Sequence, residues 1–339
     1  MRPHVTSLLF LVGMVMGCGA GGVPAAAVEH DRVGAQLLMA GRLDQAEARF
    51  RLALEYRPRF AEPHANLGLV ALARGHLPEA ERELRLAVEL NEDFATAWGD
   101  LGVVLEREDR PDDARAAYEK ALSIDPAALE ARRSLALLLA HRGLFVESRA
   151  HLLRYLELSP DDAEAEGALA WCELRLNRPE AADERATALL ARAPDAKTAR
   201  LVRGMARAAR GDLDAAAEDL YVAAEGSELG REARLRLATV QALRGRVPEA
   251  RTLVTALLRD DENDAAVQLV AATVALASED AEDARRHAER AVALRPELVA
   301  AHVLLARACA LSGDLDAARA AVDGLDGDDV RALRASLDR

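Results

Sequence analysis

The chain has 339 residues, a formal net charge of −13, 51% apolar residues and only 3% aromatics. The apolar share excludes a disordered chain, and so little aromatic volume excludes an ordinary globular core. Nucleic-acid recognition needs clustered Lys and Arg against phosphates, so the acidic balance excludes it as a role.

The N-terminus opens on Met1-Arg2-Pro3-His4, followed by an uncharged, mostly apolar stretch from Val5 to Met16. Crossing a bilayer takes about 20 apolar residues. The shorter stretch fits the h-region of a secretory signal peptide over residues 1–17. Val15-Met16-Gly17-Cys18 then resembles the bacterial lipobox. That resemblance implies cleavage before Cys18 and acylation of its sulfur and new amino group, a membrane anchor worth about 0.8 kcal/mol per buried methylene. Residues 18–26 read as the lipidated cysteine and a short Gly- and Ala-rich tether. Two other readings stand. Cleavage after Ala27, at the small-x-small site Ala25-Ala26-Ala27, would release a soluble secreted or periplasmic chain. Cys18 could also have no special role.

From Ala27 to Ala332 the sequence repeats. Gly41-Arg-Leu-Asp-Gln-Ala46 returns as Gly75-His-Leu-Pro-Glu-Ala80, Gly211-Asp-Leu-Asp-Ala-Ala216, Gly245-Arg-Val-Pro-Glu-Ala250 and Gly313-Asp-Leu-Asp-Ala-Ala318, always at multiples of 34 residues. Nine ungapped units fit. Two small residues twelve apart recur in each, from Gly34/Ala46 through Gly102/Ala114 and Ala136/Ser148 to Ala306/Ala318. They predict two helices touching nearly backbone to backbone. Gly41, Gly75, Asp109, Gly143, Asn177, Gly211, Gly245 and Gly313 mark the turns, where a left-handed residue ends the first helix. Pro78, Pro111, Pro179 and Pro248 start second helices, and Pro58, Pro126, Pro160, Pro194 and Pro296 close them.

The 34-residue period, the pairs Leu67-Gly68 and Leu101-Gly102, the Ala of helix two, Phe50 and Tyr118 four residues later, and the closing Pro resemble the tetratricopeptide repeat. Arg203 in place of the usual Leu, and Glu92, Glu228 and Glu262 in place of the closing Pro, depart from its pattern. The resemblance implies an all-α, right-handed superhelical solenoid of nine helix-turn-helix repeats over 27–332. Gly226-Ser-Glu-Leu-Gly230 reads either as a soft joint within the array or as a slightly longer loop. Val330, Leu333 and Leu337 lie at helical spacing, as in a capping helix whose end covers 333–339.

The resemblance further implies that first helices line a concave face. In the middle units the candidate binding residues there are Arg133, His141, Trp171, Arg175, Leu201, Met205 and Arg236. Trp and Arg are frequent interface hot spots, so one reading is a groove for an extended protein segment or peptide. The other packs Trp171 within its own repeat and leaves the arginines solvated. Trp98 reads as core. Some family members grip a C-terminal carboxylate through a Lys/Asn pattern. The corresponding positions here hold Asp31, Ala35, Asn66, Thr96 and Asp100, without a lysine, which argues against that role.

Nothing in the sequence points to catalysis. No HExxH, CxxC or phosphate loop occurs, so no metal, cofactor or small-molecule substrate is expected. Cys172 and Cys309 sit four repeats apart and read as buried thiols. The functional expectation is a non-catalytic, lipid-anchored scaffold of the bacterial cell envelope that binds proteins or peptides. The alternative is a soluble secreted or periplasmic subunit of a secretion or polysaccharide-export complex.

Overall fold

The structure, a computed structural model, describes residues 22–225 and 229–337. The expected signal peptide, Cys18 and residues 226–228 of the expected soft joint lie outside them. Every regular element among the described residues is an α-helix. The chain divides into two compact units at Asp161/Asp162.

The N-terminal unit holds four hairpins: α1 (Ala25–Met39) with α2 (Leu43–Tyr56), α3 (Ala61–Ala73) with α4 (Leu77–Leu90), α5 (Ala95–Arg107) with α6 (Pro111–Ile124), and α7 (Leu129–His141) with α8 (Phe145–Leu156). The C-terminal unit holds five: α9 (Ala163–Arg175) with α10 (Pro179–Arg192), α11 (Lys197–Ala209) with α12 (Leu213–Ala224), α13 (Gly230–Leu243) with α14 (Val247–Asp260), α15 (Ala265–Ala277) with α16 (Ala281–Leu294), and α17 (Val299–Leu311) with the short α18 (Leu315–Ala321). Within each unit a second helix packs on its own first helix and on the next one, and neighbouring first helices touch. This is the expected stack of helix-turn-helix repeats. On both sides of residues 226–228 the packing is continuous, since Leu220 and Ala223 of α12 share one apolar cluster with Ala233 and Leu237 of α13. The capping helix is α19 (Asp328–Leu337), which buries Val330 and Leu337 against Val303, Cys309 and Val322.

Each hairpin turn places one residue at positive φ, and the N–H of the following residue returns to a carbonyl five residues before it, as Arg42 does to Leu37 at 2.9 Å. Eight of these turn residues are the ones read from the sequence. The ninth is Glu279, at φ 57°. Asp109 and Asn177 are of the short polar types that adopt this conformation at little expense, whereas for Glu279 it costs about 1–2 kcal/mol. Glu279→Gly is therefore expected to raise thermal stability, by up to about 1 kcal/mol after the extra chain entropy of glycine is subtracted. A melting temperature at or below that of the wild type would show that Glu279 is held by something else.

The paired small positions are used asymmetrically. The residue at the second helix (Ala46, Ala80, Ala114, Ser148, Ala182, Ala216, Ala250, Ala284, Ala318) is fully buried in all nine repeats. The buried Ser148 hydroxyl donates to the Ala136 carbonyl at 2.7 Å, so its polarity is satisfied. The residue at the first helix faces the side chain sixteen positions on. A Cβ on Gly34 would lie 2.5 Å from the Phe50 ring, on Gly102 2.5 Å from the Tyr118 ring, and on Gly68 and Gly204 2.6 and 2.7 Å from Leu84 and Leu220. Where that position is Ala, its counterpart is Leu152, Ala186, Val254, Ala288 or Val322. Volume is thus balanced inside each hairpin.

A second device joins consecutive repeats. The fourth residue of a repeat reaches the backbone carbonyl six positions earlier, at the end of the preceding second helix. His64 meets Pro58, Trp98 Glu92, Arg132 Pro126, Arg200 Pro194, Gln268 Glu262 and His302 Pro296, at 2.5–3.2 Å. The same residue often has a partner nineteen positions on, in its own second helix: His64 with Glu83 at 2.8 Å, Glu166 with Arg185 at 3.1 Å, Gln268 with His287 at 2.6 Å. Burial disfavours the charged form of His64, but Glu83 and the Pro58 carbonyl outweigh it and raise its proton affinity.

Candidate functional site

In the C-terminal unit the first helices α9 and α11 pack side by side and carry Trp171 and Met205 at equivalent positions. Trp171 is partly buried against Ala170, Ala199 and Val202, so it packs within and next to its own repeat while keeping part of its ring at the surface. The Arg175 guanidinium stands 5.9 Å from the centre of that ring, in cation–π range. Trp171, Arg175 and Met205 therefore share one surface. Leu201 does not belong to it. It is 2% exposed and packs with Leu220, Leu237 and Val240, so the expectation that it faces a ligand is corrected. A single-helix projection misses this, because neighbours on both sides bury a wider stripe of each first helix. Arg236 lies exposed on α13, and its Nε donates to Glu232 one turn earlier at 2.7 Å. Arg133, half-buried, and His141, exposed, lie on α7 of the N-terminal unit.

Arg203, the departure from the usual Leu, also has a structural account. Its guanidinium donates both Nε and Nη2 to the carboxylate of Asp219 on α12, at 2.7 and 2.6 Å. Asp219 is 3% exposed and also accepts from Arg207 at 3.0 Å. Arg207 and Arg210 both reach Asp183 of the preceding repeat, at 3.2 and 2.6 Å. The bond to Asp219 holds the Arg203 guanidinium above its ordinary proton affinity, against the opposing effect of burial. This network is structural: it ties two repeats together and its charges are spent on one another.

The N-terminal unit presents a different first-helix face. Asn66 on α3 donates to Asp31 on α1 at 2.9 Å, and burial pushes the Asp31 carboxyl up to about 6. Asp100 on α5 is 5% exposed, and burial alone pushes it up to about 7. Tyr118 donates to Glu106 at 3.0 Å, and its burial, with the Glu106 charge, holds the phenol well above its usual range.

A cleft of about 700 Å³ lies between α14, α15 and α16, lined in part by Arg259, Glu262, Gln268 and His287. Gln268 and His287 bond each other there. Burial lowers the proton affinity of His287 and outweighs the opposing Asp283 carboxylate, with Arg286 adding to the lowering. Among the described residues no group of His, Cys, Asp or Glu is placed to hold a metal, and no helix is long and apolar enough to cross a membrane. Cys172 and Cys309 are buried thiols.

The repeat geometry and the sequence agree on a family. Patterns described as tetratricopeptide repeat match residues 37–93, 65–128, 100–163 and 168–228, then 231–254 and 275–337. The chain belongs to the tetratricopeptide repeat family. Tetratricopeptide arrays are in general non-catalytic scaffolds for protein interaction. Among solved structures, a tetratricopeptide repeat protein from Parabacteroides merdae is similar over 73% of this chain and 98% of its own, at 17% identity and a TM-score of 0.57. PilW, a type IV pilus biogenesis factor, is similar over 64% of this chain and 99% of its own, at 21% identity and a TM-score of 0.50. At these identities the likeness is one of fold. No match is found among curated proteins.

Proposed function

We propose that this tetratricopeptide chain is a lipid-anchored, non-catalytic adaptor of the bacterial cell envelope, holding protein or peptide partners on its first-helix faces. The observation that carries the binding half is the surface of Trp171, Arg175 and Met205 on α9 and α11. It joins a partly exposed aromatic ring, a guanidinium and a pliable thioether, the residue types that anchor interfaces. The anchoring half rests on the Val15–Cys18 motif and is supported by the start of the fold. Helix α1 begins at Ala25, and Ala27 is fully buried in it. Cleavage after Ala27 would remove the first turn and a packed residue, whereas cleavage before Cys18 leaves α1 whole.

The test is affinity capture from native membranes in detergent, comparing wild type with the Trp171→Ala/Arg175→Ala double variant and with Cys18→Ala. Defined envelope proteins should co-purify with the wild type and be lost from the double variant. Cys18→Ala should leave the membrane fraction. Partners retained by the double variant would remove the α9/α11 surface from the proposal. A Cys18→Ala protein that stays on the membrane would remove the lipid anchor.

A further inference from the structure

Of the side chains that reach back to a preceding carbonyl, Trp98, Arg132, Arg200 and Gln268 do so through an indole, a guanidinium or an amide, which keep their protons at any physiological pH. His64 does so through an imidazole. Its Nε2 stands 3.2 Å from the Pro58 carbonyl at the end of the first repeat, and its Nδ1 2.8 Å from the Glu83 carboxylate of α4. While Glu83 is ionised, both neighbours can only accept. A neutral imidazole has one N–H, so it serves one of them and turns a lone pair toward the other. Only the imidazolium satisfies both. The ring is 8% exposed, so water is poorly placed to stand in.

The surroundings favour that form. Burial is the largest single influence and opposes the charge, but the bonds to Glu83 and Pro58 and the charge of Glu83 together outweigh it. The bond to His64 in turn holds the Glu83 carboxyl below its usual range, and Arg82 donates to its other oxygen at 3.2 Å. The end of α2 contributes the Pro58 carbonyl. On α1 Asp31 is bonded to Asn66, on α5 Asp100 is governed by burial alone, and neither acts on the ring. When the ring loses a proton, the remaining one belongs on Nδ1, because a bond to a carboxylate is stronger than one to a neutral carbonyl. Nε2 then turns a lone pair toward Pro58, so the contact that fails is the one between repeats.

We propose that His64 is a proton-gated pin between the first two repeats, closed while its ring is an imidazolium and open when the ring is neutral. In mild acid the first hairpin is held to the second. In alkali the joint of α2 and α3 opens locally while the rest of the unit stays folded. The sign follows from the preference of the folded chain for the protonated ring. The pin's contribution is whole below about pH 6.5 and is lost as the pH rises through the higher value of the folded state. Asp31 and Asp100, pushed up to about 6 and about 7, also favour the folded chain in acid, so a control has to retain them. The pin does not depend on the scaffold reading above.

Two measurements on the full chain test the pin. Nitrogen-15 spectra of the assigned His64 ring should show both nitrogens mostly protonated near pH 7, and Glu83→Gln should move their titration to lower pH. Hydrogen exchange of the amides from the end of α2 to the start of α3, corrected for the intrinsic effect of pH, reads the joint itself. The comparison is with His64→Gln/Glu83→Gln, which keeps an amide donor for the Pro58 carbonyl, as Gln268 does for Glu262, and has no proton to lose there. Between about pH 6 and about pH 8.5 the wild type should lose about three- to ten-fold more protection than the double variant, the worth of one hydrogen bond. A His64 ring that is neutral near pH 7, a titration that Glu83→Gln leaves in place, or equal losses of protection in the two proteins overturns the pin. If the double variant fails to fold, the spectra of the wild type and of Glu83→Gln decide alone.

Discussion

Replacing Asp219 with Ala is expected to cost about 3–5 kcal/mol, the largest loss from any single change described above. Asp219 is the shared acceptor for Arg203 and Arg207, at 2.6–3.0 Å, with Arg200 3.7 Å away. Removing it strips the part-buried Arg203 guanidinium of its bidentate partner and leaves Arg207 with Asp183 alone. Replacing a buried pair by apolar residues of similar volume is by contrast often neutral. The double variant Arg203→Leu/Asp219→Leu, which restores the usual family residue at 203, should therefore recover much of the loss, with Arg200 and Arg207 free to turn to solvent. Urea denaturation followed by circular dichroism measures both. A single variant within about 1 kcal/mol of the wild type would show that the arginines escape to water unaided, and that the network contributes little.

The second large effect is at Gly34. Alanine is normally the better helix former by about 1 kcal/mol. Here Gly34→Ala should nevertheless destabilise by about 1–3 kcal/mol, because its methyl would enter a rigid ring that cannot yield as a flexible chain end would. Three ring carbons of Phe50 lie 2.5–3.0 Å from the new atom. Phe50→Leu alone should cost about 1 kcal/mol. Together the two changes recreate the Ala136/Leu152 pair of the fourth repeat, so the double variant should be no worse than Phe50→Leu. Additive losses would mean that the glycine serves some purpose other than making room for the ring.

Much of this molecule is legible from its residues because the repeat supplies nine parallel readings of the same geometry. A turn glycine or a closing proline seen once is weak, but in register it fixes helix ends. What escaped follows from the kinds of contact involved. Glu279 adopts the left-handed turn with no chemical mark that distinguishes it from its neighbours. Arg203 looks anomalous in sequence, since its partner Asp219 is sixteen residues away on another helix. The fourth-position donors His64, Trp98, Arg132, Arg200, Gln268 and His302 have no residue type in common. They share an N–H group, and their acceptor is a backbone carbonyl that every residue possesses. Leu201 was placed outward by the helical period and inward by the breadth of the stack. The cysteine motif and the residues before it can be read only as sequence, because the described structure begins at Gly22.

The balance of volumes across each hairpin also bears on how such a chain grows. Because Gly34 is matched to Phe50, and Ala238 to Val254, within one block of 34 residues, a duplicated or transplanted block brings its own fitted interior with it. The carbonyl link to its predecessor asks nothing of that predecessor's side chains, since a carbonyl is always there to receive the donor. Whole blocks can therefore be gained or lost at little structural expense, and the outward faces are left free to diverge, as the acidic face of the N-terminal unit and the aromatic one of the C-terminal unit have done.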